Sequence, residues 1–501
     1  MCRKNRRLRR WLFVDFLMKN KKITFINPPY EQIAPGYGFI KHITSRIPSL
    51  GLLHIAAEVR LHGYEPTIIE SDIENLSVEQ VAELVIADRP DYVGITLFTV
   101  GVWNASLIAE KIKQALPDTK IIVGGPHMSS MGSETMERFK MFDYAVLGEG
   151  ERPLAELLEV LENDGDPAQV PGIVYRNGPF VTKTAGRPIN KILDELPMPA
   201  WDLLPDFPGK YKPAIFDFPR GPVASIAASR GCPFHCKFCD TSTFGANVRH
   251  YSPAKVFEMM KYLHEEYGVR HVMFVDDLFL ASKVRTTELC EMLLESGMNL
   301  TWSCTARVDT VKPEILKLMK KAGCWEISFG LESGSNELLK KMDKAADLSR
   351  SEQAVKWTAE AGIRTKGLFM LGYPGENEET IQQTKDFVHR IPMTIMNLTK
   401  FTPYPGSPIY RDLYGSNIRD DHWQKMNGMN FLWVPEGMTE QELHKHYREV
   451  LQKFYRRPAI GHYYMKMMIK YPDHLLRLIR CGIGFLRSKL SRRQVAAPVT
   501  T

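Results

Sequence analysis

Three cysteines, Cys232, Cys236 and Cys239, stand in the run Cys232-Pro233-Phe234-His235-Cys236-Lys237-Phe238-Cys239. Thiolates spaced C-x3-C-x2-C suit an iron-sulfur cluster and leave its fourth iron without a protein ligand. An electron-transfer cluster is normally held by four cysteines. An open iron can instead chelate a substrate and pass an electron into it, so the spacing predicts catalysis. A structural zinc site would close with four ligands, and no second C-x2-C or C-x2-H pair lies nearby. His235, the only histidine inside the motif, sits too close to its neighbours to be an obvious fourth ligand. The other five cysteines (Cys2, Cys290, Cys304, Cys324, Cys481) are scattered singly, which fits ordinary thiols of a reduced protein better than a disulfide framework.

The elements around this motif read as two βα arrays. In the first, five short β-rich runs (22–27, 66–70, 92–97, 120–124 and 144–147) alternate with helix-like segments. Continuous apolar strands of this kind are buried on both faces, so a doubly wound parallel sheet is expected, with ligands at the carboxyl ends of its strands. The loops there are polar or glycine-rich: Asn27-Pro28-Pro29-Tyr30, Ser71-Asp72, Thr96, Gly124-Gly125-Pro126-His127 and Gly148-Glu149-Gly150-Glu151. The first loop lacks G-x-G-x-x-G, which argues against a dinucleotide.

In the second array, strands at 223–228, 271–275, 300–305, 325–330, 364–371 and 396–401 alternate with helices at 253–267, 285–296, 312–321, 349–361 and 378–390. Six parallel strands predict a partial (β/α)6 barrel with its mouth at the strand C-termini, and the cysteine loop follows the first of them. The domain reading is therefore a basic extension (1–20), a doubly wound domain (21–165), a Pro- and aromatic-rich connection (166–221), the barrel (222–435) and a basic helical region (436–501).

The cysteine motif, with an aromatic residue before its last cysteine, resembles the signature of the radical S-adenosylmethionine enzymes. In that family the open iron binds the amino and carboxylate groups of S-adenosylmethionine, and reductive cleavage yields a 5'-deoxyadenosyl radical that removes a substrate hydrogen. The first domain is similar to the cobalamin-binding domains of one large subfamily, through Asn27 to Tyr30, Thr96-Leu97, Gly124-Gly125 and Gly148 to Gly150. The Asp-x-His-x-x-Gly element that supplies a histidine to cobalt in cobalamin-dependent mutases is absent, because Asn-Pro-Pro-Tyr occupies that loop. His127 is a lone loop histidine, more often solvated than liganding.

The resemblance implies a 4Fe-4S cluster on Cys232, Cys236 and Cys239, with S-adenosylmethionine and cobalamin bound nearby. Its cofactor-binding positions would be Phe238, Asp276, Asp277, Arg307, Glu332, Gly372, Gly375 and Glu376 on the barrel side. On the other side they would be Asn27, Pro28, Thr96, Gly124, Gly125 and Gly148. Asp276-Asp277 stands where many relatives have Gly-Gly-Glu for the methionyl amine; its bland reading is an N-cap and a solvated neighbour. Arg307 would pair a carboxylate, with a salt bridge to Asp309 or Glu332 as its rival. Glu332, in Gly330-Leu331-Glu332-Ser333-Gly334-Ser335, would accept from ribose hydroxyls.

The match most resembles cobalamin-dependent methylases of tetrapyrroles and hopanoids, and the anaerobic magnesium-protoporphyrin monomethyl ester cyclase. The expected function is C-methylation of an unreactive carbon. A radical cyclase or oxidoreductase is the alternative, and a non-catalytic corrinoid or iron-sulfur binding protein the alternative from another class. A small-molecule substrate, lipid or tetrapyrrole-like, and a reducing donor such as flavodoxin or ferredoxin follow as partners.

Charge excludes one class. Residues 1–22 carry nine Lys and Arg against one acid, and residues 441–493 thirteen against three; these ends sum to +18 against a total of +7, which leaves the body at −11. A nucleic-acid groove across that body is not expected. The segment before Met18 mimics a signal peptide, but Asp15 interrupts its apolar run and no small-residue cleavage site follows; a start at Met18 is an equal reading. No apolar run approaches the length of a membrane span. The expected location is the cytoplasm, with the basic tails as a peripheral contact for the inner face of the membrane.

Overall fold

The computed structural model describes residues 21–30, 45–415, 417, 419–473, 475–477 and 479. The basic extension 1–20 and the end of the C-terminal tail lie outside the described residues.

The first sheet holds β1 (Lys22–Asn27), β2 (Glu65–Glu70), β3 (Tyr92–Thr96), β4 (Lys120–Gly124), β5 (Tyr144–Val146), β6 (Ile173–Asn177) and β7 (Phe180–Lys183). Their order is β2-β1-β3-β4-β5-β6-β7, with β1 to β5 parallel and the last two antiparallel. All five residues of β3 are buried, which explains its uninterrupted apolar run. Sequence order reverses between β1 and β3, the place where such sheets open a crevice for ligands. The segment 166–221, read from sequence as a connection, thus begins as sheet. β6 and β7 are short, and Gly178 turns between them at φ +59°; β7 buries none of its residues, so it leaves no apolar period to read.

The second sheet runs β8 (Val223–Ile226), β11 (His271–Phe274), β12 (Thr301–Ala306), β13 (Cys324–Glu332), β14 (Arg364–Leu371) and β15 (Ile395–Lys400), all parallel and in chain order. Between β8 and β11 two short antiparallel strands, β9 (Ser229–Arg230) and β10 (Arg249–His250), close the base of the cysteine loop. The register slips between Gly330 and Glu332, where Glu332 takes φ +64°, a left-handed conformation rare for a side chain of its size. Gly334 follows in close contact: a Cβ there would lie 2.4 Å from the Cα of Thr384, so only glycine lets this loop pack.

One continuous core joins the two arrays. Leu53, Ala56 and Ile173 of the first connect through fully buried Trp201 and Tyr211 of the 166–221 segment to Trp302, Ile327 and Phe369 of the barrel. On the other face Trp423, from beyond β15, packs with Val102, Ile108 and Met128 of the first domain. The domains are therefore fixed against each other from both sides by apolar burial, the main favourable term in folding.

Candidate active site

Both sheets present strand C-termini to one cavity of about 1120 Å³. That exceeds the roughly 300–1,000 Å³ of an ordinary small-molecule pocket and leaves room for several groups. Asn27, Thr96, Gly124, Gly125 and Gly148 line it from the first domain, and Cys232, Cys236, Phe238, Cys239, Asp277, Arg307 and Glu332 from the barrel. Pro28, Asp276, Gly372, Gly375 and Glu376 are not among the lining residues.

The cysteine loop is shaped by its own backbone. Gly231 enters at φ +87°, where a Cβ would meet the Asn247 carbonyl at 2.4 Å. Lys237 N–H donates to the Met342 carbonyl (2.9 Å) and its own carbonyl accepts from Ile409 N–H (2.9 Å), so the loop is tied to two later segments of the barrel. All three thiols are free. Cys236 is pushed down to about 6, first by a hydrogen bond with Cys239 and then by the cations of Lys344 and Arg307, while the same bond raises Cys239. A thiolate is thus favoured before any metal arrives. A single metal ion needs its donors gathered at one point, and among the described residues no three His, Cys, Asp or Glu side chains are so gathered. A cubane takes one sulfur per iron, and the three cysteines that line the cavity among the described residues fit it better than they fit zinc.

Arg307 stands over the Phe234 ring at 3.5 Å and donates to the carbonyls of Lys344 (2.8 Å) and Ala345 (3.3 Å). Its Nε and Nη2 edge is taken by Asp309, so the rival salt bridge is realised, while Nη1 faces Cys236 Sγ at 3.9 Å. Glu332 pairs through Oε1 with Lys344 Nζ at 2.8 Å, both side chains buried. A Cβ on Gly330 would fall 2.5 Å from that oxygen and 2.8 Å from that nitrogen. Lys344 also lies over the Phe238 ring. It lies more than a hundred positions beyond the cysteines, in a turn with no motif of its own, and sequence reading missed it.

The two aspartates divide their work. Asp276 is buried and accepts from Ala228 N–H and Ser229 Oγ–H, fixing the turn from β8 into β9. Asp277 accepts from Gly231 N–H and faces the cavity. Glu376 likewise turns inward: its carboxylate accepts from Gly372 N–H, closing the loop after β14 on itself. Gly375 there packs against Lys341 and Gly372 against Phe431.

Burial raises several of these carboxyls, Glu70 and Asp276 to about 7 and Glu376 to about 8. A carboxyl whose folded value lies above its unfolded one holds its proton more tightly in the folded chain. Its stabilisation is full below the unfolded value and is lost as pH climbs through the folded one. The thermal midpoint is therefore expected to fall from about pH 4 to about pH 8, and Asp276→Asn should flatten part of that slope; a midpoint that rises across this range contradicts the assignment.

On the opposite wall, Tyr30 OH donates to Asn27 Oδ1 and Asn27 Nδ2 donates to Glu70, whose other oxygen accepts from Ser49 N–H. This chain pins the first loop to the sheet. Gly125 sits at φ +97°, and a Cβ there would crowd the Leu97 backbone at 2.9 Å. The glycine edge leaves backbone exposed along a broad, mostly apolar cavity, a cradle that fits a corrin ring. His127 is buried rather than solvated. Its Nδ1 bonds Thr99 Oγ1 (3.1 Å) and its Nε2 bonds Thr135 Oγ1 (2.9 Å), so neither nitrogen is left for cobalt.

Comparison with known proteins agrees with this geometry. A pattern described as the radical SAM superfamily matches residues 226–388, and one described as a B12 binding domain matches residues 38–158. An uncharacterized methyltransferase of Pyrococcus horikoshii is 30% identical over 446 residues, spanning 88% of this chain and 94% of that protein. The anaerobic magnesium-protoporphyrin IX monomethyl ester cyclase of Cereibacter sphaeroides is 26% identical, over 88% of this chain and 71% of its own. In fold, the radical S-adenosylmethionine methyltransferase TsrM from Kitasatospora setae, solved with cobalamin and a [4Fe-4S] cluster bound, superposes with a TM-score of 0.65. It is 19% identical and covers 79% of this chain and 75% of its own.

Proposed function

We propose a reaction on the premise that this chain belongs to the radical S-adenosylmethionine enzymes that carry a cobalamin-binding domain. It is a methyltransferase that acts on an unreactive carbon of a small molecule. One observation carries this reading: three thiols, the only cysteines among the described residues that line the cavity, and the glycine edge of a B12-type sheet open into the same space. When bound, the cluster would supply the electron, one S-adenosylmethionine the methyl group, a second the hydrogen-abstracting radical, and cobalamin the methyl carrier.

The chain's own share is placement. Cys232, Cys236 and Cys239 hold the cluster, with Lys344 and Arg307 favouring the thiolate of Cys236. Asp277 takes the methionyl amine, and Arg307 meets the carboxylate through Nη1, the corner not bonded to Asp309. Glu332 keeps one oxygen on Lys344 and offers the other to ribose hydroxyls. Asn27, Thr96, Gly124, Gly125 and Gly148 border the corrin. The apolar walls exclude water, which strengthens each of these polar contacts. Gly372, Gly375 and Glu376 act from outside the cavity, by shaping the loop after β14.

The test is anaerobic turnover with methyl-labelled S-adenosylmethionine, a reductant and a small-molecule extract of the producing cells. Methylation yields S-adenosylhomocysteine together with 5'-deoxyadenosine, and a product heavier by one labelled methyl. An oxidative cyclase would yield 5'-deoxyadenosine with neither of the other two, and that result would replace this reading. Failure to form any 5'-deoxyadenosine would leave only a binding protein.

The chain needs a low-potential reductant, for which flavodoxin or ferredoxin is the proposed class, and a reducing cytoplasm suits its free thiols. No helix among the described residues is long and apolar enough to cross a membrane. The helix Pro458–Lys470 packs Ile460 and Met467 inward but turns Met465 and Ile469 outward, the latter 80% exposed, beside exposed Lys466 and Lys470. Leu475, Leu476 and Ile479, beyond the end of that helix, are exposed as well. Apolar tips among cations suit an anionic lipid surface. Binding to phosphatidylglycerol vesicles should exceed binding to phosphatidylcholine by about tenfold at low salt, and Ile469→Glu should abolish the difference; equal binding to both would remove the membrane from the account.

A further inference from the structure

The loop that follows β5 does more than border the cavity. Glu149 reaches across to the other domain, where Oε1 accepts from Arg230 Nη1 at 2.8 Å and Oε2 from Arg249 Nη1 at 2.7 Å. Asn190 N–H completes its shell at 3.2 Å. Glu151 accepts from the other arm of Arg230 at 2.6 Å. None of these four side chains is more than 9% exposed.

The two arginines are no arbitrary pair. Arg230 and Arg249 are direct partners across the β9–β10 ladder, and like charges placed opposite each other repel. Residues 231–248 between them form the loop that carries all three cysteines. Glu149 sets an anion between the two guanidinium groups and so offsets that repulsion, and it comes from the corrin-side domain. Arg249 extends the tie by donating to the Phe244 carbonyl inside the loop (3.0 Å) and to the Asn190 carbonyl (2.6 Å). A Cβ on Gly148, next to Glu149, would lie 3.6 Å from the Thr243 carbonyl of the same loop, and Ser129 Oγ accepts from Gly148 N–H.

We propose that Glu149 is a positioning residue that clamps the neck of the cysteine loop, so that the cobalamin-binding domain itself sets where the cluster stands relative to the corrin. The inference rests on the methyltransfer reading for its consequence, although not for its geometry. Radical formation needs only the cluster half of the cavity. Methyl transfer needs both halves in register, and displacement on the ångström scale is costly for such a step. Loss of the clamp therefore loosens the loop and uncouples the two halves before it stops either.

The test uses the full chain carrying cluster and cobalamin. In Glu149→Gln, hydrogen exchange across residues 231–248 is expected to rise about tenfold while β12 to β14 stay protected, because one charge of a buried pair has lost its partner. The ratio of methylated product to 5'-deoxyadenosine should fall about tenfold, with 5'-deoxyadenosine formation held within about twofold. Arg249→Lys, which keeps the charge but cannot hold Glu149 and both carbonyls, should move both readouts in the same direction and decides the matter if Glu149→Gln does not fold. Unchanged exchange in either folded variant, or product and 5'-deoxyadenosine falling in parallel, overturns the proposal. Should the native chain release no methylated product, the methyltransfer reading fails by itself, and exchange alone then decides the clamp.

Discussion

Cys236→Ala protein, reconstituted without oxygen, will release at least about a thousandfold less 5'-deoxyadenosine than the native chain, equivalent to about 4 kcal/mol of transition-state stabilisation. The size of the effect follows from what Cys236 does. It is the buried member of the trio, the sulfur whose thiolate the bond with Cys239 and two cations already favour, and the one that Arg307 Nη1 faces at 3.9 Å. Its removal leaves two thiols for a cubane that needs three. Cys304→Ala is the control: that thiol is just as buried, but burial raises it toward the neutral form and it does not line the cavity. It should cost stability and leave 5'-deoxyadenosine formation within about threefold, since core truncations act on folding rather than on chemistry. Activity in Cys236→Ala within tenfold of native would remove the cluster from the catalytic account.

Arg307→Lys will lower S-adenosylmethionine affinity and 5'-deoxyadenosine formation by about tenfold to a hundredfold, although charge is conserved. A planar guanidinium stacks on Phe234, clasps Asp309 along one edge, caps two carbonyls of the Lys344–Ala345 turn and still leaves Nη1 for a further partner. An ammonium is a point donor and cannot do these at once. The turn it caps also presents Lys344 to Glu332, so the loss spreads to the proposed ribose contact. Equilibrium binding of S-adenosylmethionine to the reconstituted protein measures the effect directly. Native affinity in the lysine variant would reduce Arg307 to the salt bridge with Asp309.

The parallel strands of both sheets were legible because most are largely buried, β-rich runs bounded by turn residues. β4 and β14 coincide with their sequence reading, and β13 differs mainly by running on through Glu332. The cysteine loop needed only its spacing. Other features had no local signature. β6 and β7 are the antiparallel pair that ends the sheet, β7 being its edge with no buried residue, and β9 and β10 span two residues each, below any period that sequence can reveal. The Glu149–Arg230 and Glu149–Arg249 bonds join residues 81 and 100 positions apart, and Lys344 finds Glu332 only because the chain turns through residues 343–345. Asp276, Gly372, Gly375 and Glu376 carried the right neighbourhood but not the right direction. Each follows a strand of the barrel, and whether a side chain at a strand end faces the cavity or its own loop is settled by backbone hydrogen bonds that sequence does not display.

An iron with a free coordination position is expected in the cavity between the two domains. Electron paramagnetic resonance of the reduced, anaerobically reconstituted protein, recorded with and without S-adenosylmethionine, tests it most directly. A four-iron cluster signal that changes when S-adenosylmethionine is added is the predicted result. Zinc in place of iron, or a cluster signal that S-adenosylmethionine leaves unmoved, would contradict it.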